Sequence, residues 1–250
     1  MEGVRKDVLV LCTSLLNTDW YVRQLIRRPV YPYDAAKGPA VYRGREWPMP
    51  KGPPLHMTTV QADSLPEYQE VRQPQLFKKG SIEATIKPQI LAKADIVVLL
   101  MLKDDYPNRP FYFSRTAGGY PQEVLGLGPY LLTQGLARKL LPTTPTPGKD
   151  TVLLQGEGFV DVPRTHDLWF NDFLGPAAVI KRGLWVDKAS VGIPYIYITS
   201  AVDLADIAQQ RGDTAQSREL MATARALGDA TDLSRLFAPQ LPPPAPAVPL

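Results

Sequence analysis

The distribution of proline constrains the fold of this chain more than any other feature of its sequence. The chain has 26 prolines among 250 residues, about twice the roughly 5% that is usual, and proline breaks the interiors of helices and central strands. Seven prolines lie between Pro29 and Pro54, six lie in the last twelve residues, and none lies between Tyr195 and Ala238. A plain helical bundle is therefore excluded. We expect an early loop, a late helical part and an extended tail.

Composition and charge exclude several classes of protein. An apolar share of 44% is too high for a disordered chain. The net charge is only +3, without a basic face, so no nucleic-acid partner is expected. The single cysteine, Cys12, excludes an internal disulfide and is expected in the core. The histidines, His56 and His166, lack carboxylates at ligand spacing, so no metal site is expected.

The first regular elements indicate an α/β fold. The apolar run VLVLCTSLL, residues 8–16, predicts a strand buried on both faces. Polar residues that can cap a helix follow at 17–19, and a helix is predicted over 20–28. This order opens an open α/β sheet, so we expect a small Rossmann-like sheet with a long Pro-rich loop.

The rest of the chain predicts further helices and strands and a helical hairpin. A helix is expected over 88–102, a strand over 111–114, a helix over 125–134 and a short strand or helix end over 136–142. The hairpin consists of helices over about 200–213 and 214–228, and Gly212 ends the first of them. The expected organisation is an α/β domain (1–142), a linker and irregular segment (143–194), a tetratricopeptide-like helical hairpin (195–236) and a disordered Pro-rich tail (237–250).

The best candidate binding residues follow the first predicted strand. Asn17, Asp19, Trp20 and Tyr21 combine hydrogen-bonding groups with aromatic rings suited to sugar or peptide contact, although a helix cap explains most of the pattern. The acidic pair Asp104–Asp105 is expected to be solvated in a turn. The Gly-x-Gly patterns at 126–128 and 156–158 lack the strand, third glycine and helix of a phosphate-binding loop. No catalytic residue and no cofactor are therefore expected.

Four stretches of the chain together resemble one protein family. They are SLLNTDWYVRQL, LKDDYPNRPFYFS, GLGPYLLTQGLARKLLP and VDVPRTHDLWFNDF. In this order, and followed by a helical hairpin, they resemble the C-terminal soluble region of large bacterial multi-pass membrane proteins. Those proteins are similar to protein O-mannosyltransferases of the GT-C class.

The resemblance marks residues that could bind a ligand, but it implies no catalytic group in this chain. Besides the four residues above, it marks Arg109, Pro110, Tyr112, Asp161, Arg164 and Thr165, and of these we take Arg109 and Tyr112 as further candidate binding residues. In GT-C enzymes the acidic catalytic residue and the lipid-phosphate sugar donor belong to the membrane part. The resemblance also implies that Met1 is an internal methionine of a longer chain.

We therefore expect the soluble extracytoplasmic domain of a GT-C-like glycosyltransferase, which assists acceptor binding and is not catalytic alone. Its expected partners are an acceptor polypeptide or the membrane portion of a longer protein. The longest uncharged apolar run, Ile96 to Leu102, is too short to cross a membrane, so no span is expected in this chain. A free-standing protein-interaction module with a tetratricopeptide-like hairpin is the alternative.

Overall fold

The computed structural model describes residues 8–31 and 51–237. It divides the chain into two compact units, Met1–Asp161 and Val162–Leu250. Most of the predicted Pro-rich loop, residues 32–50, lies outside the described residues, and so does nearly all of the predicted tail, from 238 onward. The four-part organisation expected from the sequence stays a prediction.

Unit 1 combines short helices with three sheets. Its helices are α1 (Asp19–Arg27), α2 (Thr59–Asp63), α3 (Lys93–Asp105) and α4 (Tyr120–Glu123). Its strands are β1 (Tyr68–Val71), β2 (Gln75–Lys79), β3 (Ile82–Ile86), β4 (Gln89–Ala92), β5 (Tyr112–Ser114), β6 (Leu131–Gln134), β7 (Ala137–Leu140), β8 (Thr151–Leu154) and β9 (Gly158–Asp161). Together with the helical pair of unit 2, these elements confirm the α/β class and the C-terminal hairpin.

The main sheet of unit 1 has five strands in the order β5-β7-β6-β9-β8. Its pairs are antiparallel except β6 with β9, which run parallel with Leu132 opposite Phe159. The two smaller sheets, β1 with β4 and β2 with β3, are antiparallel. Parallel pairing, which a Rossmann-like sheet uses throughout, is thus confined to one pair of strands.

The predicted buried strand over 8–16 is wrong. Residues 8–12 have no regular structure, and a 3-10 helix covers Thr13–Asn17. Val10 is 83% exposed, whereas Leu16 is fully buried and Leu9 and Leu11 pack against the core. The segment therefore contributes only some of its apolar side chains to the core, and it has no strand partner among the described residues.

Two other predictions need correction. The helix expected over 88–102 begins at Lys93, because residues 89–92 pair with β1 as strand β4. The helix expected over 125–134 does not form: Gly128–Tyr130 is a 3-10 helix, and Leu131–Gln134 is strand β6, whose side chains alternate between buried and half-buried. Gly135, at φ +61°, starts the two-residue turn to β7, a conformation that favours glycine. The predicted helix over 20–28 and strand over 111–114 are confirmed.

One helix organises the core of unit 1. Helix α3 places Val97, Met101 and Leu102 in the interior, each 2% exposed or less. Leu16 and Leu25 from the first helical segments and Leu131 from β6 belong to the same cluster. The near-continuous apolar sequence of α3 is explained by this central position.

Unit 2 is helical. It contains α5 (Val162–Asp167), a π-helix (Leu168–Asp172), α6 (Gly175–Arg182), α7 (Gly192–Gln210) and α8 (Thr214–Ala230). Residues 143–194 were expected to be a linker and irregular, yet strands β8 and β9 and helices α5 and α6 lie within them. These elements are only four to eight residues long, too short for a clear period.

The hairpin of α7 and α8 is closed by the turn that the sequence predicts. Gly212 has φ +80°, and the Asp213 carboxylate caps α8 by accepting the backbone N–H of Gln216 at 3.0 Å. Small residues on both helices, Ala201, Ala205 and Ala224, are fully buried. Their size lets the two helices approach closely.

One helical stretch in the described part of the chain has the length and composition of a membrane span. It is Lys188–Gln210, whose most apolar window has a mean hydropathy of 1.2 and is half buried. The central helix of a folded domain has the same properties. The expectation that no segment spans a membrane stays a prediction.

Candidate functional site

A cleft of about 320 Å³ lies beside the β8–β9 hairpin of unit 1, and we call it the edge cleft. Gly156 and Gly158 flank the tip of this hairpin at φ +85° and +92°, and a Cβ at either position would meet open space. The absence of side chains here leaves room for a ligand group. The lining residues are Gln122, Gly128, Leu131, Leu153, Leu154, Gly156, Glu157 and Gly158.

Strand β8 forms one edge of the main sheet, next to this cleft. The Thr151 carbonyl accepts the N–H of Gly148 at 2.8 Å, so the backbone of Thr151 faces away from β9. Because alternate residues of a strand face the same side, the backbone N–H and C=O of Leu153 also point outward. The Leu153 side chain is 59% exposed. An outward-facing backbone beside an exposed leucine is suited to pairing with an added strand.

Glu157, at the tip of the hairpin, is held from inside the unit. Its Oε2 lies 2.9 Å from Nη2 of Arg115 and 3.2 Å from Nη2 of Arg138. Its Oε1 accepts the hydroxyl of Thr133 at 2.7 Å. The Glu157 side chain is only 10% exposed, so these contacts fix the loop that lines the edge cleft and leave the carboxylate occupied.

Asn17 and Asp19 serve to attach the N-terminal segment to helix α3. The Asn17 Oδ1 accepts the backbone N–H of Ala94 at 2.9 Å, in the first turn of α3. Asp19 forms an ion pair with Lys93, whose side chain is 4% exposed. The hydrogen bond from Lys93 holds the pKa of Asp19 below its usual range. Both polar groups therefore support the fold.

Trp20 and Tyr21 differ in their accessibility. The Trp20 ring is 64% exposed, whereas Tyr21 is half-buried, packs against the core and accepts the Cys12 backbone N–H at 3.4 Å. Of the four candidates near the start, only Trp20 offers a free aromatic face.

Cys12 was expected in the core but is exposed, because its segment does not enter a sheet. Hydrogen bonding from Ser14 lowers the pKa of its thiol.

Arg109 lies in a buried ion-pair cluster at the other end of α3. Its Nε is 2.8 Å from Oδ2 of Asp105, and its Nη2 donates to the Gly52 carbonyl at 3.1 Å. The His56 ring lies 3.5 Å from the other Asp105 oxygen. Burial raises the pKa of Asp105, although Arg109 and His56 act in the opposite direction. Asp105 was expected to be solvated, but it is 2% exposed.

The remaining candidates are spread over both units. Tyr112 is exposed on β5, with the Lys139 ammonium 6.0 Å from its ring centre. Asp161 accepts a hydrogen bond from Gln134 at 2.8 Å. In unit 2, Arg164 pairs with Asp167 and Thr165 is buried.

The predicted binding residues of unit 1 do not form one site. Lys93 and Asp105, which bind Asp19 and Arg109, are twelve residues apart on α3, about 18 Å at 1.5 Å per residue. The edge cleft contains none of the predicted residues. The only feature of the sequence that pointed to the edge cleft was the Gly-x-Gly pattern at 156–158. In the structure this pattern lies at the turn between β8 and β9. No group of three or more potential metal ligands occurs within 8–31 and 51–237.

Comparison with known proteins relates only the start of the chain to a family. A family model described as TMEM260-associated domain 2 matches residues 1–41, of the 250 in the chain. The match includes Asn17, Asp19, Trp20 and Tyr21. Comparison with curated proteins and with solved structures gave no significant match.

Proposed function

We propose that this chain is a soluble domain that holds an acceptor polypeptide for a GT-C-like membrane glycosyltransferase. The observation that carries the proposal is the outward-facing edge of β8 beside the edge cleft. The family match over residues 1–41 supports it, because that match covers the stretch SLLNTDWYVRQL. This agrees with the resemblance found in the sequence.

The edge cleft and β8 suit an extended peptide better than a small free ligand. A peptide that adds a strand gains backbone hydrogen bonds, while side-chain pockets supply selectivity. Leu153 would contact the peptide, and the cleft would take one of its side chains. The cleft volume is at the lower end of the range for ligand pockets, roughly 300–1,000 Å³.

The proposal gives this chain no catalytic group. Glu157 borders the cleft, but both of its carboxylate oxygens are engaged by arginines and a threonine. Asp105 is buried and paired with Arg109. Trp20 offers the exposed ring for a sugar or peptide contact, in the region that the family model matches.

A peptide-binding experiment tests the proposal. The probe is a short fluorescein-labelled peptide that alternates Thr and Val, and binding is measured by fluorescence anisotropy. We expect Leu153→Lys and Gly128→Leu each to weaken binding by about tenfold, which corresponds to the roughly 1.5 kcal/mol of a lost apolar contact. At Gly128 a Cβ would lie 3.5 Å from Gln122, so the substitution fills the cleft without backbone overlap.

The matched control is Leu76→Lys, which changes an equally exposed leucine on β2. Absence of binding to the unsubstituted chain, or equal weakening by Leu76→Lys, would refute the peptide site. A sugar-transfer assay on the same chain tests the statement that the chain has no catalytic group. Sustained turnover would show that a catalytic group is present after all.

A free-standing interaction module is the second candidate, and the packed α7–α8 hairpin favours it. Both candidates bind a polypeptide, so the genome separates them better than a binding assay. An open frame upstream of the Met1 codon that encodes long apolar segments supports the glycosyltransferase. An in-frame stop close to that codon supports the separate module.

A further inference from the structure

Large apolar side chains are exposed in one continuous segment of unit 2. Leu174 is 81% exposed and Val186 is 61% exposed, and Leu184 between them is also exposed. Single exposed apolar residues are common on protein surfaces, whereas a concentration of them marks an interaction site. Residues 174–188 are therefore the strongest candidate in this unit.

Helix α6 presents part of this segment as one face. Leu174, Ala177, Ala178 and Lys181 follow the i, i+3, i+4, i+7 spacing that places residues on the same side of a helix, and the last three, like Leu174, are exposed. The buried residue of α6 is Pro176. Gly183, at φ +68°, ends the helix, so the chain turns directly into Leu184 and Val186.

Positive charge accompanies the apolar residues. Lys181, Arg182 and Lys188 are exposed within these fifteen residues, and Asp187 is the only acid among them. The Asp187 carboxylate accepts the backbone N–H of Ala189 at 3.1 Å, so it is turned towards its own chain. The Trp185 Nε1 donates to the Asp187 carbonyl at 2.6 Å, which fixes the indole within the turn.

We propose that the basic apolar surface of unit 2, formed by Leu174, Lys181, Arg182, Leu184, Val186 and Lys188, binds the surface of a membrane that contains anionic lipids. Leucine and valine beside lysine and arginine are the combination that interfacial segments use. The cations match the negative headgroups, and the apolar side chains reach the acyl boundary. Because these residues lie outside the edge cleft, the proposal goes beyond the proposed function and does not depend on it.

Vesicle co-sedimentation of the full chain tests the proposal. Vesicles of phosphatidylcholine alone are compared with vesicles that contain phosphatidylglycerol as well. We expect binding only to the anionic vesicles, and weaker binding as salt is raised. The reversal K181E/R182E/K188E should lower the partition coefficient by at least about a hundred-fold, because each basic residue lost at an anionic surface removes roughly a five-fold factor and each glutamate adds repulsion.

A charge-matched variant controls for the change in net charge. R218E/R225E/R235E alters three exposed arginines elsewhere in unit 2 by the same total charge, and we expect it to retain most of the binding. The substitution L174S/L184S/V186S tests the apolar part and should reduce binding at low salt. All of these positions are exposed, and far-UV circular dichroism checks that each variant folds.

Three results would overturn the proposal. The first is no binding of the unsubstituted chain to anionic vesicles. The second is equal weakening by the two charge variants. The third is a concentration-dependent dimer, seen by analytical ultracentrifugation, that L174S/L184S/V186S abolishes, because a second copy of the chain would then cover this surface.

Discussion

A buried charged residue requires a partner, and the pair of Arg109 and Asp105 illustrates this requirement. Their side chains are 7% and 3% exposed, so neither charge is hydrated as it would be in water. Arg109 also reaches back to the Gly52 carbonyl and thereby ties residues 51–56 to the end of α3. Its role at this position is to hold the fold, and a ligand would have to displace these contacts to reach it.

Replacing Arg109 therefore has a predictable cost. Arg109→Met leaves the Asp105 carboxylate buried without its main counter-charge, and we expect a loss of about 3 kcal/mol in the free energy of unfolding at pH 7. Urea unfolding measures it. The control is Arg72→Met, which removes an exposed pair with Glu70 and should cost less than about 1 kcal/mol.

The cost of Arg109→Met should depend on pH. Burial already raises the pKa of Asp105, and loss of the guanidinium raises it further. A carboxyl whose pKa is higher in the folded state destabilises the fold as pH rises from its unfolded value towards its folded value. The deficit should therefore be smaller near pH 4, close to the unfolded-state pKa of an aspartate, than at pH 7. An equal deficit at both pH values would contradict the assignment of the loss to the Asp105 charge.

At the scale of elements, helix α3 depends on a residue far away in the sequence. Its N-cap position is Ala92, which has no side-chain acceptor for the free N–H groups of the first turn. The Asp95 carboxylate accepts the Ala92 N–H at 2.7 Å, and Asn17 supplies the acceptor for Ala94. The N-terminal segment thus completes the helix on which the core of unit 1 is built.

Removing this distant cap tests the interpretation. We expect Asn17→Ala to lower the free energy of unfolding by about 1 kcal/mol, the usual cost of losing an N-cap. Asn108→Ala, at an exposed position after α3, is the control and should change stability by less than about 0.5 kcal/mol. If Asn17→Ala is as neutral as the control, the hydrogen bond to Ala94 does not stabilise α3.

Local signals explain which elements could be predicted from the sequence. The turn at Gly212, the cap of α1 by the Thr18 side chain and the aromatic strand β5 depend on residues next to one another, and the sequence predicts all three. The strand predicted over 8–16 does not form, because the burial of this segment depends on long-range packing, which leaves Val10 in solvent. Glu157 was not identified, since Thr133, Arg115 and Arg138 meet it only after β6, β7 and β9 assemble. The edge cleft was missed for the same reason.

For the whole molecule, the division into two units means that each has a core of its own. The core of unit 1 surrounds α3, and the interior of unit 2 includes Leu204, Leu220 and Leu227, each 3% exposed or less. Structural units with separate cores can open with separate free energies. Each unit should then have its own free energy of unfolding, and a substitution in one core should leave the stability of the other unit unchanged.

Hydrogen–deuterium exchange measured peptide by peptide can test this separation. Leu204→Ala creates a cavity in the interior of unit 2 and should cost this unit about 2–4 kcal/mol, so exchange should accelerate across both α7 and α8. Peptides from α3 and the main sheet should keep their protection. The reciprocal variant, Leu102→Ala in α3, should accelerate exchange in unit 1 and leave α7 and α8 unchanged. Faster exchange throughout the chain in both variants would mean that the two units unfold as one, because a cavity in either core would then lower the stability of both.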